Sequence, residues 1–229
     1  MYPVPFVDIH THPNRNEPVT IIVQNIFPGE VVADFTGRNF YSVGLHPWYI
    51  KSEAVNDVLI SMVKETLEND HVCFVGECGL DKLTKTSFDE QIRVFRAHVV
   101  LAEEWKRPVI IHCVRAYNEI LELHFKIKPE IPWILHGYTG GPEITKRLAK
   151  RGFYFSFGKS LFNPKSKSIE SLRWLPLDRI FFETDEFKGN VDEIYQHAAI
   201  LKEVSPELIK QEVWNNFNIV ESSLVSINN

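Results

Sequence analysis

Two histidines separated by one residue, His10 and His12, directly follow the short apolar run that contains Phe6 and Val7. Side chains alternate along a β-strand, so residues two positions apart point to the same face. If residues 6–11 form a strand, both imidazoles converge on one point, which is the geometry that a metal ion needs. Taken alone, the pair is equally compatible with an incidental repeat on the surface.

Four further groups of the same chemistry end other apolar runs: Glu77, His112, His136 and Asp185. An unpaired carboxylate beside the apolar run before Glu77 would be costly, so we interpret Glu77 as a carboxylate that bridges two cations. The alternatives for Glu77 are a cap or an ion pair with Lys82. Asp185 is interpreted as a ligand that also accepts a proton from water, with a helix N-cap as the alternative.

The chemistry that these groups predict is metal-assisted hydrolysis. Imidazoles and carboxylates without a cysteine suit one or two divalent ions, and the ligand types do not choose among zinc, manganese, magnesium and iron. Two cations about 3.5–4 Å apart would clamp both the attacking and the leaving oxygen of a displacement, and would lower the pKa of bound water toward about 7. Hydroxide would then be present at neutral pH.

Three other residues, His46, Trp48 and Lys159, are predicted to contact the substrate. His46 precedes Pro47, which favours an extended backbone; a metal ligand and a structural turn residue are the alternatives. Trp48 can stack on a base, and simple packing explains it as well. The loop after the seventh predicted strand is basic, and such loops bind phosphate in many barrels, with a solvated loop as the alternative. Its lysines are Lys159, Lys165 and Lys167.

The elements that must position these groups alternate between short β-branched or aromatic runs and longer stretches of helical periodicity. The predicted strands are residues 6–11, 20–26, 40–44, 72–77, 109–113, 133–137, 153–157 and 180–185. The predicted helices are residues 52–68, 87–105, 117–126, 143–150, 191–204 and 206–223.

This order predicts an α/β fold, because strands separated by helices form parallel βαβ units. Eight such strands favour a TIM-type (β/α)8 barrel over its rival, an open doubly wound sheet. In a barrel the active site lies at the carboxyl ends of the strands, where the His, Glu and Asp residues stand. Residues 13–19 and 27–39 are too few for full crossover helices, so the first two βα repeats are predicted to be shortened. Residues 206–223 form a predicted C-terminal helix.

The composition excludes several classes of protein. With 44% hydrophobic and 24% charged residues among 229, the chain is not intrinsically disordered, and we expect one metallohydrolase domain spanning residues 1–229. No apolar stretch is long enough to span a membrane, and the first residues do not resemble a signal peptide. Three cysteines in apolar runs predict reduced thiols and a cytoplasmic location.

The net charge of −5 gives no global attraction to nucleic acid. Binding of DNA or another polyanion would therefore need a local basic patch. The sequence indicates DNA or a small phosphodiester as substrate, and it shows no feature typical of an obligate protein partner.

Six motifs, in this order along the chain, resemble those of the TatD family of metal-dependent deoxyribonucleases, within the amidohydrolase-like barrels. The motifs are Phe-Val-Asp-Ile-His-Thr-His at 6–12, Gly-Leu-His-Pro at 44–47, Gly-Glu-Cys-Gly-Leu-Asp at 76–81, Pro-Val-Ile-Ile-His at 108–112, His-Gly-Tyr-Thr-Gly-Gly at 136–141 and Glu-Thr-Asp at 183–185. The resemblance implies a TIM-type barrel, one or two divalent metals and phosphodiester hydrolysis. It also implies a set of metal ligands: His10, His12, Glu77, His112, His136 and Asp185.

The chain departs from the family's pattern around these motifs. Trp48 stands where the family usually has the second histidine of Gly-x-His-Pro-His. The usual Ser-Arg-Asp-Ala is replaced by Cys-Val-Arg-Ala, which moves the arginine by one position to Arg115, and Glu186 stands where the usual Ser-Pro begins. These departures touch the substrate surface, so two alternatives stay open. One is a hydrolase of a small phosphoester, lactone or cyclic amide, and the other is a non-catalytic metal-binding barrel.

Overall fold

A parallel sheet of eight strands forms the centre of the computed structural model, which describes residues 4–12, 19–30 and 39–222. Each strand pairs in parallel with the next strand along the chain. The strands are β1 (Phe6–Thr11), β2 (Thr20–Ile26), β3 (Asn39–Val43), β4 (Val72–Asp81), β5 (Val109–Val114), β6 (Trp133–Leu135), β7 (Tyr154–Phe157) and β8 (Ile180–Phe182).

The sheet closes on itself at its carboxyl end. Thr11 forms a parallel bridge with Asp185, and the backbone N of Asp185 donates to His10 O at 2.9 Å. The buried Asp8 carboxylate accepts hydrogen bonds from the backbone N and the hydroxyl of Thr184, at 2.9 and 2.6 Å. The predicted (β/α)8 barrel is confirmed, and the rival open sheet is wrong because such a sheet leaves its edge strands unpaired.

Seven helices of the described residues surround the strands: α1 (Glu53–Thr66), α2 (Phe88–Trp105), α3 (Tyr117–Ile127), α4 (Pro142–Ala149), α5 (Ser168–Trp174), α6 (Val191–Lys202) and α7 (Pro206–Ser222). Six of them lie close to their predicted bounds, including the C-terminal helix. The exception is α5, whose seven residues are too few to show a clear helical period. None of the described helices has the length and apolar character needed to cross a bilayer.

The predicted shortening of the first two repeats concerns residues 13–19 and 27–39. Most of these residues, 13–18 and 31–38, lie outside the described part of the chain. The two connections are short in sequence, so the expectation of shortened helices stays a prediction.

The fourth strand, β4, continues beyond its predicted end at residue 77 because two glycines let it approach β5 closely. Gly76 and Gly79 have φ of +138° and +153°, which side-chain-bearing residues rarely adopt. A Cβ at Gly76 would meet Ile110 O at 2.4 Å, and one at Gly79 would meet His112 O at 2.0 Å. The register shifts between Val75 and Cys78. Close approach and irregular register thus place the end of β4 directly beside β5.

Tyr195 ties the outer helix α6 to the barrel. Its fully buried ring contacts Phe182 of β8 at a centroid distance of 4.6 Å. Its hydroxyl donates to Val7 O at 2.9 Å and accepts from Val7 N at 3.2 Å. Packing and hydrogen bonding of this kind hold β1 and β8 in fixed positions, so the groups at their carboxyl ends rest on a rigid scaffold.

A buried histidine outside the candidate site, His98 of α2, is held neutral. Its Nε2 accepts from Leu45 N at 2.9 Å, and its Nδ1 donates to Val94 O at 2.8 Å. Burial lowers the pKa of His98 to about 4, because a charged imidazole would lose its hydration. The unfolded chain therefore binds a proton below about pH 6.5 that the folded chain refuses until about pH 4.

We expect this difference to make the protein less stable as the pH falls from about 6.5 to about 4. The free energy of unfolding should drop by about 2 kcal/mol from His98 alone between pH 7 and pH 5. Urea unfolding of wild type and His98→Gln at both pH values measures the effect. The variant is less stable at pH 7, but its decrease on acidification should be smaller by about that amount. An equal decrease in the two proteins would contradict the assignment.

Candidate metal centre

His10, near the end of β1, and His12, which directly follows the strand, face one carboxylate oxygen. His10 is fully buried, whereas the His12 side chain is 41% exposed at the mouth of the barrel. The Nε2 atoms of both rings lie 3.3 Å from Glu77 Oε2. Because side chains alternate along the chain at this strand end, both rings point to the same side. The two histidines are therefore close in space as well as in sequence.

The other oxygen of Glu77 faces a second group of imidazoles. Glu77 Oε1 lies 2.7 Å from His112 Nδ1 and 2.7 Å from His136 Nε2. The backbone N of Glu77 donates to Asn25 Oδ1 at 2.6 Å, which anchors the carboxylate against β2. One buried carboxylate therefore lies between two sets of histidines, which is the position required of a bridging ligand.

Asp185 completes the first group from the other side of the barrel seam. Its Oδ1 lies 3.5 Å from His12 Nε2. Its side chain is 27% exposed, against 3% for Glu77, and it lines the cleft. Asp185 has a φ of +50°, and its backbone O accepts from the Thr11 hydroxyl at 3.3 Å. Backbone contacts to β1 thus hold this carboxylate beside His12.

Two carboxylates that sequence analysis did not assign to the site contact the outer nitrogens of the second group. His112 Nε2 lies 3.4 Å from Asp81 Oδ2, and His136 Nδ1 lies 3.3 Å from Glu183 Oε1. Contacts of this kind orient a metal-binding ring and direct its other nitrogen to the metal. A signal existed in the sequence, since Glu183 precedes Asp185 by two residues and both stand in one motif. Asp81 could not be placed while β4 was predicted to end at Glu77.

His46 lies closer to the centre than a pure substrate contact requires. Its Nε2 is 3.1 Å from Glu77 Oε1 and 3.2 Å from His112 Nδ1. Its Nδ1 accepts from Trp48 N at 3.1 Å, which begins the 3₁₀ turn Pro47–Tyr49. The same ring lines the open cleft. Its position is thus compatible with all three roles that the sequence left open, metal ligand, substrate contact and structural turn residue.

The donor atoms fit divalent metal ions. Two sets have ligand atoms within 4.8 Å of one another, namely His10 with His12 and Glu77, and His46 with Glu77 and His112. Nδ1 of the buried His10 makes no hydrogen bond within the described part of the chain, and its Nε2 has only the 3.3 Å contact with Glu77 Oε2. Buried polar atoms without partners are costly, and a cation bound by His10 would remove that cost. The nitrogen and oxygen donors suit zinc, manganese or iron and leave the ion's identity open.

The protonation states of Glu77 and His136 depend on each other. Burial alone would raise the pKa of the Glu77 carboxyl, but the nearby His136 and hydrogen bonds from neighbouring imidazoles hold it well below its usual range. Burial opposes protonation of His136, but Glu77 and Glu183 raise its pKa well above the ordinary value. Without metal the ionised Glu77 is thus balanced by a protonated imidazole. Since imidazole ligands must be neutral, metal binding would release protons.

A profile of the family described as TatD related DNase matches residues 29–221. The chain belongs to this family. A relative from Haemophilus influenzae, named an uncharacterized metal-dependent hydrolase, is 27% identical over 92% of this chain and 97% of its own length. The relative YabD from Bacillus subtilis, with the same description, is 30% identical over 74% of this chain and 72% of its own. At this level the protein is a metal-dependent hydrolase of the TatD family.

Solved structures show the same fold. The TatD homolog YJJV from Escherichia coli has a TM-score of 0.80 at 22% identity, over 95% of this chain and 98% of that one. A TatD family hydrolase from Entamoeba histolytica has a TM-score of 0.76 at 14% identity, over 96% and 99% of the two chains. The barrel of this TatD-family chain therefore extends over nearly the whole length of both structures.

The cleft above the centre has a volume of about 810 Å³, and its wall carries two of the departures from the family pattern, Trp48 and Glu186. Trp48 is 58% exposed, and its Nε1 donates to Asp81 Oδ2 at 2.7 Å. Tyr49 and Phe27 pack edge-to-face beside it at a centroid distance of 5.5 Å. Glu186 lies on the same wall. In this TatD-family member, aromatic side chains therefore border the cleft. Trp48 is held there by Asp81, the carboxylate that also contacts His112.

The three lysines of the predicted phosphate loop do not line the same cavity. Lys159 lines the cleft above the candidate metal centre, whereas Lys167 lines a neighbouring depression. Lys165 is exposed and lines neither of these two cavities. The predicted patch is thus divided, and only Lys159 lies on the wall of the main cleft.

Proposed function

We propose that the protein hydrolyses phosphodiester bonds with one or two divalent metal ions and that its substrate is single-stranded DNA. The observation that carries this proposal is the position of Glu77 between two groups of imidazoles, one on each oxygen. When bound, a pair of divalent cations supplies Lewis acidity to both oxygens of the displacement and lowers the pKa of water. The name of the matched family agrees with this reaction.

The exposure of each site residue indicates which role it can have in the reaction. Glu77 is almost fully buried and can serve only as a ligand, whereas Asp185 is accessible from the cleft and can accept the proton of the attacking water. Lys159 and His46 line the cleft where they can hold phosphate oxygens. The exposed Trp48 ring offers a face on which a base can stack.

A second candidate function is hydrolysis of a lactone or cyclic amide. Glu30 and Glu186 line the cleft and would repel a polyanion. A lactonase of Deinococcus radiodurans shares the barrel at a TM-score of 0.54 and 14% identity, which is a likeness of fold alone. The acidic wall therefore makes the substrate class the first property to test.

A panel of substrates tests the proposal. Chelated protein should be inactive, and one of zinc, manganese, magnesium or ferrous iron should restore hydrolysis of single-stranded DNA and of a small chromogenic phosphodiester. Glu77→Gln, purified in the same way, controls for contaminating nucleases. Metal-loaded protein that leaves both phosphodiesters intact but turns over a lactone or an amide would show that the second candidate is correct.

A further inference from the structure

The cleft continues into a groove along the outside of the barrel. A second depression of about 590 Å³ shares His112, His136 and Asp185 with the cleft. A third, of about 490 Å³, shares Arg115, Tyr117 and Ile144 with the second. Their linings overlap, so one path leads from the metal centre past the start of α3 and along α4. We call the second and third depressions together the α3–α4 groove.

The outer part of the α3–α4 groove is basic in a protein that is acidic overall. Its lining carries four cations, Arg115, Lys146, Arg147 and Lys150, and one acidic residue, Glu143. The whole chain has 25 basic and 30 acidic residues. A local excess of positive charge against this background is the electrostatic feature that a polyanion needs.

Two of these cations have no partner among the described residues. Arg147 donates to Asn118 Oδ1 at 2.8 Å, and Lys146 lies 3.3 Å from Glu143 Oε1. Arg115 and Lys150 are exposed, and the described part of the chain offers neither of them an ion pair or a hydrogen bond through the side chain. Both side chains are therefore free to contact a bound anion.

We propose that the α3–α4 groove binds the phosphates of a nucleic acid single strand on one side of the bond held at the metal centre. This inference rests on the proposed function, because that function places a phosphodiester where the groove begins. A row of cations along a continuous path suits a chain with regularly spaced charges rather than one free phosphate. The exposed Trp48 ring at the cleft and Tyr117 in the groove favour a single strand, because only unpaired bases can stack on aromatic rings.

The test is binding of a fluorescent ten-nucleotide single strand with phosphorothioate linkages, which carry the same charges and resist hydrolysis. The full-length, metal-loaded protein is compared with Arg115→Gln/Lys150→Gln, which removes the two unpaired cations and no hydrogen bond. If each cation neutralises one phosphate, Kd should rise about 10- to 30-fold at 0.1 M salt. The slope of log Kd against log salt should become shallower by about 1.4.

Arg96→Gln/Lys106→Gln is the matched control, because it removes one exposed arginine and one exposed lysine from α2 and its end. We expect it to bind like wild type. Lengthening the strand from two to ten nucleotides should strengthen binding to wild type and control, but much less to the groove variant. Arg115→Lys/Lys150→Arg keeps both charges and should restore most of the affinity.

Three results would contradict the proposal that the groove binds the strand. They are an equal affinity of the groove and control variants for the ten-nucleotide strand, an equal loss of affinity of the groove variant for a dinucleotide, or equally strong competition for binding by polyglutamate. Hydrolysis of the unmodified strand is scored separately. A strand bound through the groove but not cut would contradict the proposed function and support the groove. A strand cut by wild type and bound with unchanged Kd by the groove variant would contradict the groove and support the function.

Discussion

Glu77→Gln is expected to lose hydrolytic activity down to the level of chelated wild-type protein. The substitution removes the one charge that faces both groups of imidazoles, at 2.7 to 3.3 Å from their nitrogens. An amide offers one neutral oxygen and cannot bridge two cations. We therefore expect metal affinity to fall by more than about 100-fold, beyond the range typical of residues that only orient a ligand.

Metal content after dialysis and a calorimetric titration measure this loss directly, without relying on activity. Glu65→Gln, the same chemical change at an exposed position of α1, is the control and should bind metal like wild type. The thermal midpoint of both variants in chelator shows whether the barrel stays folded. A folded Glu77→Gln protein with two tightly bound metal ions would show that the bridging assignment is wrong.

Asp185→Asn is expected to lower kcat by about 10²- to 10⁴-fold while leaving at least one metal ion bound. The amide keeps an oxygen that can coordinate, but it is a poor proton acceptor. Asp185 is accessible from the cleft and lies 3.5 Å from His12, so its loss affects the reacting water more than the second group around His112. KM should change much less than kcat.

Steady-state kinetics on a small phosphodiester at saturating metal, with metal content measured in parallel, separate these effects. Asp89→Asn on the exposed start of α2 is the control. If Asp185→Asn recovers near wild-type kcat once metal is saturating, Asp185 acts only as a ligand. If it loses all metal, its coordination outweighs its role as a base.

Much of the fold could be predicted from local patterns. The bounds of β1 and β2 match the prediction, because each is a compact apolar run with turn residues beside it. The capping of α2 by Ser87, whose hydroxyl accepts from Glu90 N at 3.4 Å, is equally a local interaction. The missed helix α5 is stabilised by packing of its buried Ile169 and Leu172 on the core, which is not a local signal.

The carboxyl end of β4 could not be predicted from local sequence patterns. The glycines at 76 and 79 are usually taken as the end of a strand, but here they are the residues that allow β4 to touch β5. The contacts of their backbones are with Ile110 and His112, more than thirty positions away in the sequence. A pattern read along one segment cannot contain such a neighbour, and Asp81 was therefore not assigned to the site.

The sequence by itself determined the types of the candidate ligands, their order and their placement at strand ends, because a fixed strand period and a barrel's common carboxyl edge convert spacing into proximity. Only the tertiary structure decided which groups lie together. It brought His46 within 3.1 Å of Glu77, set Glu183 behind His136, and separated Lys165 from Lys159. It also joined Arg115 to Lys150 along one groove. These relations depend on the packing of helices and loops from distant parts of the chain. The local sequence periodicity does not specify the directions of the side chains in those segments.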